Sequence, residues 1–321
     1  MTNNNILLLL DNRPGTASQA IALANYSGLP TIQFMLDYNY LANLPNFFGF
    51  AKTRIKNINN LNQVAQPKYI ISAGRRSALF AVYLKNNLAF SSQLIQIMQP
   101  NLSLSLFDYV VLPKHDLKTD VILPDNIVPS LGGLANGQFN DLALSDYFRA
   151  RVACEGRVIA LLIGGSFVGK QNFTLSFFLQ IWQQLLCIAN NMRAKLLVLN
   201  SRRTDDDINI FLKKSTTNSS NIVFFDYRSN ESRLYQQVLL RADYFVVTGD
   251  SVSMISEACS TGRPVYVVSD EQISKSKHLL FHQDLFINNI AKKFTNNQLI
   301  LQNYSYEPLN EAKRIASLIF C

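Results

Sequence analysis

The residues with the clearest chemical potential lie in the segment Thr248–Val268, where small polar side chains follow an apolar run. An apolar run, Thr-Gly-Asp, a helix-like segment, Gly-Arg-Pro and a second β-branched run together predict strand, tight loop, helix, turn and strand. In a parallel α/β sheet such a loop lies at the carboxyl end of a strand, where ligands bind. Asp250, Ser251 and Ser253 could therefore face an anion at the start of a helix.

Glu257 extends this pattern, because it follows Ser253 by about one helical turn and shares its face of the helix. A carboxylate just behind a phosphate-binding helix start could hold the two hydroxyls of a ribose. The alternative is that Glu257 is a solvated helix residue and Asp250 an ordinary helix cap. The pattern alone leaves both interpretations open.

A glycine-rich turn, Gly164, Gly165 and Ser166, also follows a predicted strand and precedes a helix. Its backbone amides could cradle a diphosphate, although a tight structural turn would have the same sequence. The spacing from Gly164 to Lys170 approaches a P-loop. Gln171 then stands where a P-loop needs Ser or Thr to hold magnesium, which argues against an ATPase.

Two further loops at predicted strand ends carry paired arginines. Ser201 and Arg202 begin Ser-Arg-Arg-Thr, and Arg75 belongs to Gly-Arg-Arg in the first half of the chain. The planar guanidinium fork matches phosphate oxygens, so both loops are candidate phosphate contacts. Solvated arginines are the alternative.

A histidine beside an aspartate, His115-Asp116, follows the predicted strand Tyr109–Leu112 and could act as a general base. The alternative is a surface histidine whose hydrogen bonds are satisfied. His278 and His282 share a predicted helix face, but no third ligand is evident, so we predict no metal site. We find no serine or cysteine triad and predict no bound cofactor.

The elements that must position these residues alternate between strands and helices. The predicted strands are Ile6–Leu10, Thr31–Met35, Lys68–Ser72, Leu94–Met98, Tyr109–Leu112, Val158–Ile163, Lys195–Leu199, Ile222–Phe225 and Tyr244–Val247. This rhythm predicts an α/β fold of two Rossmann-like domains facing a cleft. We place the domains at residues 1–150 and 151–306, followed by a terminal helix in 307–321 that could pack back on the first domain.

Composition limits the function classes. The 321 residues carry a net charge of +8 without a long basic run, which suits anionic partners such as phosphates or an acidic membrane face. Nothing resembles a nucleic-acid module with interleaved aromatic residues. The four cysteines form no close pair, which indicates a reducing compartment. The apolar run Ile6–Leu10 lacks the flanks of a signal peptide, and no run reaches membrane-spanning length, so we expect a cytoplasmic protein.

The segment Leu44–Lys56 places aromatic residues next to cations, a pattern typical of peripheral contact with an anionic membrane. The alternative is that the aromatic side chains belong to a core and the cations are solvated. The residues in question are Phe47, Phe48, Phe50, Lys52, Arg54 and Lys56.

Taken together, six motifs resemble the mitochondrial-fission ELM-type family of bacteria and plants. They are D-N-R-P-G-T-x-x-Q, A-G-R-R-S, F-D-Y-V-V-L-P-K-H-D, L-L-I-G-G-S, N-S-R-R-T and D-S-V-S-M-I-S-E-A-C-S-T-G-R-P-V, in that order between Asp11 and Val265. The chain departs from the family's pattern with Asn12 where Gly is expected and Gly133 where Ala is common. Neither departure touches the nucleotide motifs.

The resemblance implies a GT-B glycosyltransferase fold and a nucleotide-diphosphate sugar as donor. The second domain is also similar to the transferases that act on lipid-linked peptidoglycan precursors. By that similarity the second domain would bind the nucleotide, and Asp11, Gly15 and His115 would lie at the acceptor side, with Asp11 an alternative base. The acceptor would be lipid-linked or part of the cell envelope. A plant member of the family recruits a dynamin-type fission protein, so a non-catalytic adaptor is the competing hypothesis.

Overall fold

The chain folds into two compact units, which we describe from a computed structural model. The structure describes residues 3–43, 46, 52–58, 61, 66–87, 91–117, 122–137, 143–153, 156–166, 172–217, 219–229 and 233–320. The first unit comprises Met1–Asn136 together with Asn310–Cys321, and the second comprises Gly137–Leu309. The boundary that we predicted at residues 150 and 151 therefore falls within the second unit.

The first unit is built on a six-stranded parallel sheet in the order β2-β1-β3-β4-β5-β6. Its strands are β1 (Asn3–Leu10), β2 (Thr31–Met35), β3 (Pro67–Ala73), β4 (Gln93–Ile97), β5 (Tyr109–Pro113) and β6 (Ile127–Ser130). Its helices are α1 (Pro14–Asn25), α2 (Gly74–Asn87) and, from the end of the chain, α9 (Glu311–Ile319). The strand order reverses at β1, because β2 lies on one side of it and β3 on the other.

Both faces of this sheet are covered, which explains why β1 is a continuous apolar run. Successive side chains of a strand point to opposite faces. Ile6, Leu8 and Leu10 pack with residues of α1 and α9. Leu7 and Leu9 pack with residues of α2 on the other face.

The second unit repeats the plan with the sheet order β12-β11-β10-β7-β8-β9. Its strands are β7 (Val158–Leu162), β8 (Lys195–Leu199), β9 (Ile222–Phe225), β10 (Tyr244–Thr248), β11 (Val265–Val268) and β12 (Lys292–Lys293). Its helices are α3 (Asp146–Val152), α4 (Leu175–Met192), α5 (Asp206–Thr216), α6 (Leu234–Arg241), α7 (Val252–Cys259) and α8 (Ser276–Ile287). The reversal here lies between β7 and β10, which pair directly in parallel.

Helix α4 shows how local sequence sets an element of this unit. The side chain of Thr174 caps its start by accepting a hydrogen bond from the amide of Phe177. Its apolar positions recur at helical spacing, so Phe178, Trp182 and Leu185 are buried against β7 and β8. Arg193 ends the helix in the left-handed conformation.

The last helix, α9, belongs to the first unit. The carboxylate of Glu311 accepts a hydrogen bond from the amide of Leu131 at 2.8 Å and pairs with Arg314 at 2.7 Å. Arg314 in turn donates to the carbonyl oxygen of Pro129. Ile315 is fully buried in the core of the first unit. The helix thus fastens the end of β6 and covers one face of the sheet.

Two local predictions differ from the structure. Helix α2 begins at Gly74, so Arg75 lies in its first turn and not in a loop. The prediction of Arg54 as an exposed cation is wrong. Its side chain is only 2% exposed, and it donates to the Asn46 side chain.

Lys52 and Lys56 of the same segment are exposed. Phe47, Phe48 and Phe50 lie outside the residues that the structure describes. No helix within the described ranges has the length and apolar character needed to cross a bilayer.

Candidate functional site

The second unit has one edge where its topology favours ligand binding. In a doubly wound sheet, ligands bind outside the carboxyl ends of the strands, where the strand order reverses. Here that point lies between β7 and β10. The turn Gly164–Ser166 follows β7, and Gly249 and Asp250 follow β10. The two loops predicted to carry chemistry are thus neighbours at the reversal.

Hydrogen bonds tie these loops together. The amide of Gly164 donates to Thr248 Oγ1 at 2.8 Å, and the amide of Gly165 donates to Asp250 Oδ2 at 3.0 Å. Thr248 Oγ1 donates to the other carboxylate oxygen of Asp250 at 2.6 Å. The amides that we assigned to a diphosphate therefore donate within the protein and fix the loop geometry.

Packing explains why two glycines stand in this turn. A Cβ atom on Gly164 would lie 2.0 Å from Oδ2 of Asp250. A Cβ atom on Gly165 would lie 1.8 Å from the carbonyl oxygen of Arg203, a backbone atom that cannot rotate away. The glycines are thus required by the close approach of the loops after β8 and β10.

Arg203 completes the arrangement. Its Nη2 lies 2.6 Å from Oδ2 of Asp250, whose side chain is fully buried, while the Arg203 side chain is 38% exposed. Burial raises the pKa of Asp250, and the charge of Arg203 and hydrogen bonds from Thr248 and Gly165 oppose that rise. Asp250 is therefore a buried anchor for three loops and not a simple helix cap.

Side-chain hydrogen bonds connect the loop after β8 to the turn after β7. The hydroxyl groups of Ser201 and Thr204 both donate to the carbonyl oxygen of Gly164, at 2.8 and 2.6 Å. Ser166 donates to Asp205 at 2.8 Å and accepts a hydrogen bond from the amide of Phe173. Ser166 and Ser201, both predicted to face a ligand, thus act here as bridges between loops.

Arg202 remains at the surface. It lines a cavity of about 470 Å³ at the carboxyl ends of β8 and β9, together with Arg203, Tyr227 and Arg228. Burial would raise the pKa of Asp226, the partner of Arg228, but hydrogen bonds from Arg228 and Asn200 lower that pKa to about 2. The cavity is therefore lined by guanidinium groups and carboxylates together, because Asp205, Asp206 and Asp207 also line it. Arg228 is paired with Asp226, and Arg203 with Asp250.

Helix α7 begins at this edge. Ser251 occupies its N-cap position without a side-chain capping bond, and Ser253 lies in its first turn, which contains no acidic residue. Glu257 lies one turn further on, beside Tyr235 of α6. Burial raises the pKa of Glu257 to about 7, against the influence of the Tyr235 hydroxyl. The interpretation of Glu257 as a freely solvated carboxylate therefore does not fit.

The first-unit candidates lie on their own sheet edge, where the order reverses between β1 and β3. Asp11 follows β1 and is 3% exposed. Its carboxylate accepts a hydrogen bond from the amide of Arg13 at 3.2 Å and lies 3.5 Å from Nη1 of Arg76. Gly15, in the first turn of α1, accepts a hydrogen bond through its carbonyl oxygen from Gln19.

Arg75 and His115 occupy different places on that edge. Arg75 is the second residue of α2, which directly follows β3, the neighbour of β1. His115 is half-buried in a short turn after β5. Because β3 and β4 lie between β1 and β5, the strand spacing separates Asp11 from His115 by about 14 Å. The structure brings Asp11, Gly15 and Arg75 to one strand reversal and places His115 apart from them.

The sequence analysis placed Arg203, Arg76 and Thr248 inside candidate loops but gave none of them an individual role. The motifs were visible, whereas the orientation of single side chains within them was not. Within the described ranges, no group of three or more His, Cys, Asp or Glu residues could hold a metal ion.

Comparison with known protein families gives a match over nearly the whole chain. Residues 14–320 match the family described as Mitochondrial fission ELM1. The chain belongs to the mitochondrial fission ELM1 family. The resemblance inferred from the six motifs is thereby confirmed.

Two relatives of this ELM1-family chain differ in coverage. Uncharacterized protein RP120 of Rickettsia prowazekii (strain Madrid E) is 31% identical over 348 aligned positions, covering 98% of this chain and 97% of the relative. Mitochondrial fission protein ELM1 of Arabidopsis thaliana is 28% identical over 287 positions. That match covers 79% of this chain and 63% of the plant protein.

Solved structures confirm the predicted fold class of this ELM1-family chain. The UDP-GlcNAc 2-epimerase of Methanocaldococcus jannaschii superposes with a TM-score of 0.62 at 12% identity, covering 98% of this chain and 99% of the epimerase. The same enzyme has also been solved in complex with UDP-GlcNAc and UDP, with a TM-score of 0.55 at 14% identity and the same coverage. The glycosyltransferase SnogD of Streptomyces nogalater gives 0.53 at 14% identity, covering 99% of this chain and 94% of SnogD. The ELM1-family chain therefore has a GT-B-like α/β fold with two parallel sheets.

Proposed function

We propose that this protein is a GT-B-like glycosyltransferase whose second unit binds a nucleotide-diphosphate sugar. The observation that carries the proposal is the junction of three loops at the β7–β10 reversal, fastened by Asp250. A rigid edge that presents Arg203 and the start of α7 suits a diphosphate. The solved epimerase complex supports the ligand class, because that protein shares the fold and contains UDP-GlcNAc and UDP.

The diphosphate and the ribose of the nucleotide would have separate contacts. Arg203 keeps one edge of its guanidinium on Asp250 and offers the other donors to phosphate oxygens, assisted by Arg202. Ser251, Ser253 and the first amides of α7 would bind the same diphosphate. Glu257 would accept hydrogen bonds from the ribose hydroxyls. Gly164, Gly165 and Ser166 would set the floor of the site.

The reaction would break the bond between the anomeric carbon of the sugar and the diphosphate oxygen. An acceptor hydroxyl would form the new bond, and its proton would pass to a base in the first unit, His115 or Asp11. The nucleoside diphosphate would leave with its charge stabilised by Arg203 and Arg202. This transfer would need no cofactor, because the bond that breaks, the bond that forms and the proton are all accounted for. We propose a lipid-linked or cell-envelope molecule as the acceptor.

Such an acceptor would place the protein in the cytoplasm at the inner face of the membrane. Lys52 and Lys56 remain available for headgroup contact, whereas Arg54 does not. Co-sedimentation with anionic vesicles should decrease when both lysines are changed to Glu, because each cation near such a surface contributes about 1 kcal/mol. Equal sedimentation of the variant and the wild-type protein would remove membrane contact from the proposal.

A non-catalytic adaptor is the second candidate, and one observation favours it. The amide of Gly164 donates to the Thr248 hydroxyl and the amide of Gly165 to the Asp250 carboxylate, so groups of the protein itself fix this edge. A protein that used the fold only to present a binding surface would need no more. The name of the plant relative, a mitochondrial fission protein, suits that role equally well.

A thermal-shift titration with UDP, other nucleoside diphosphates and their sugars separates the two candidates. We expect a nucleotide to raise the melting temperature, and Arg203→Gln to weaken that affinity about tenfold or more, since a charge-assisted contact is lost. Arg241→Gln is the matched control, because Arg241 pairs with Asp243 at the opposite end of β10. If no nucleotide at millimolar concentration shifts the melting temperature, the adaptor is the better account.

A further inference from the structure

We propose that the first unit holds a phosphate site of its own, anchored by Arg76 at the β1–β3 reversal. The site would take the phosphate of an acceptor molecule. Its biological meaning therefore rests on the proposed function, although its binding can be measured independently of any nucleotide.

The first observation is the incomplete bonding of Arg76. Its side chain is 13% exposed, and its Nη1 makes only long contacts, 3.5 Å to Asp11 and 3.3 Å to Asn12. Its Nε is buried and has no hydrogen-bond partner among the described residues. Buried guanidinium donors are ordinarily satisfied, so the unpaired Nε is an exception that an anion bound at this edge would resolve.

Tyr38 fixes the orientation of this guanidinium. The guanidinium carbon of Arg76 lies 4.2 Å from the centre of the Tyr38 ring, a cation–π distance. The Tyr38 hydroxyl is also buried without a partner among the residues described. Burial and the charge of Asp11 raise the pKa of Tyr38, so the hydroxyl keeps its proton at neutral pH and can donate. Arg76 and Tyr38 thus supply oriented donors side by side.

The charge balance at this edge favours an anion. Asp11 is the acidic side chain that meets Arg76, while Arg13, Arg75 and Arg76 all lie in the turn after β1 or the first turn of α2. Cations at the start of a helix oppose the helix dipole, and neither α1 nor α2 has an acidic residue in its first turn. Such departures from the usual charge preference at a helix start are expected at binding sites. A phosphate dianion would offset both the excess charge and the dipole.

Phosphate fits better than a carboxylate or a sugar hydroxyl. A tetrahedral dianion can accept from the guanidinium edge, from a phenol and from helix-start amides at the same time. Asp11 would remain beside it and could take the proton of a neighbouring hydroxyl. A soluble phosphate ester and a lipid-linked phosphate share this chemistry, and vesicle binding separates the two sources.

The test uses the full chain and inorganic phosphate in isothermal titration. We expect wild-type protein to bind phosphate, and Arg76→Gln to weaken that binding about tenfold or more. Lys68→Gln should bind as the wild type does. Lys68 is the matched control, because it also carries a cation over a tyrosine ring but lies in the amino-terminal half of β3. Equal phosphate affinity in Arg76→Gln and Lys68→Gln would overturn the proposal.

Site identity and folding need separate readouts. Phosphate should protect Arg76 from phenylglyoxal, as measured by peptide mass spectrometry, both in the wild type and in Arg203→Gln. Protection that disappears in Arg203→Gln would place the phosphate in the second unit and overturn the proposal, whereas failure of UDP to bind would not overturn it.

Tyr38→Phe keeps the ring and loses only the hydroxyl. It should weaken phosphate binding severalfold without changing the melting temperature, even if Arg76→Gln fails to fold.

Vesicles distinguish the source of the phosphate. Binding to vesicles that contain phosphatidic acid, with loss in Arg76→Gln, would indicate a lipid-borne phosphomonoester. Binding of inorganic phosphate without such vesicle binding would indicate a soluble ester. Absence of both would exclude the site.

Discussion

The carboxylate of Asp250 lies 2.6 Å from Nη2 of Arg203, with the aspartate fully buried and the arginine 38% exposed. The two residues come from loops after different strands, β10 and β8, and meet over Gly165, which donates its amide to the same carboxylate. This pair makes the strand reversal of the second unit a single rigid edge. It also places one charged group where a ligand can reach it.

Removal of the Asp250 carboxylate should be strongly destabilising. Asp250→Ala leaves the amide of Gly165, the hydroxyl of Thr248 and the guanidinium of Arg203 without their acceptor, so we expect the free energy of unfolding to fall by about 3 kcal/mol or more. Asp37→Ala is the control. Its carboxylate is 58% exposed and lies 3.8 Å from Lys56, and such surface pairs contribute about 0–1 kcal/mol. Urea denaturation measures both, and similar losses would contradict a central role for Asp250.

Gly165 should tolerate no side chain. Gly165→Ala forces a Cβ atom to within 1.8 Å of the carbonyl oxygen of Arg203, so the loops must separate. We expect a loss of stability of several kcal/mol, the range in which backbone displacement and overpacking combine. Gly28→Ala is the comparison, because a Cβ atom there would meet no atom within 4 Å. The positive φ of +69° is its remaining cost, so we expect it to lose roughly 1 kcal/mol of stability. Equal melting temperatures for the two variants would show that the loops separate easily.

The raised pKa of Glu257 predicts a pH-dependent stability. Its pKa is about 7 in the folded protein against 4.5 for an ordinary glutamate, so the folded state holds the proton more tightly than the unfolded state. The resulting stabilisation is fully present below about pH 4.5 and is lost as the pH rises through about 7. The difference is at most about 3 kcal/mol.

Chemical denaturation at pH 5 and pH 8 provides the measurement. The wild type should lose more stability between these values than Glu257→Gln, which cannot ionise. Glu271→Gln removes an exposed carboxylate and should follow the wild type. A wild type and a Glu257→Gln variant with parallel pH profiles would mean that the carboxylate is not held in a desolvated site.

The base of the proposed transfer can be assigned by comparing two variants. His115→Ala should lower the rate of sugar transfer roughly a hundredfold, the usual contribution of general base catalysis, and leave nucleotide affinity unchanged. Release of UDP in the presence of acceptor gives the rate, and thermal shift gives the affinity. If His115→Ala retains full activity while Asp11→Asn loses it, the role passes to Asp11.

Much of the fold follows directly from the sequence. Runs such as Lys195–Leu199 and Ile222–Phe225 match the observed strands, because continuous β-branched and apolar stretches of this length suit a sheet covered on both faces. The reversal of strand order was not visible in this way. It depends on which strands pair across more than 80 residues, as β7 and β10 do.

The site was predicted at the level of loops but not of side chains. The motif Ser-Arg-Arg-Thr identifies a basic loop, but it does not show that the guanidinium of Arg203 reaches the buried carboxylate of Asp250. Nor does it show that Gly165 is required by the backbone carbonyl of Arg203. Arg54 illustrates the same limit. Exposed lysines lie two residues away on either side, at positions 52 and 56, whereas the Arg54 side chain is buried and donates to Asn46.

Because α9 belongs to the first unit, that unit can be completed during synthesis only after the second unit has been made. Ala312, Ile315 and Ile319 belong to the core beneath β1 and β3, yet the ribosome releases them only after the whole second unit has been made. The second unit can thus fold while the first still exposes an apolar face. During that interval the nascent first unit depends on chaperones or on its own collapse for protection. A chain cut before Asn310 would remain in that unfinished state.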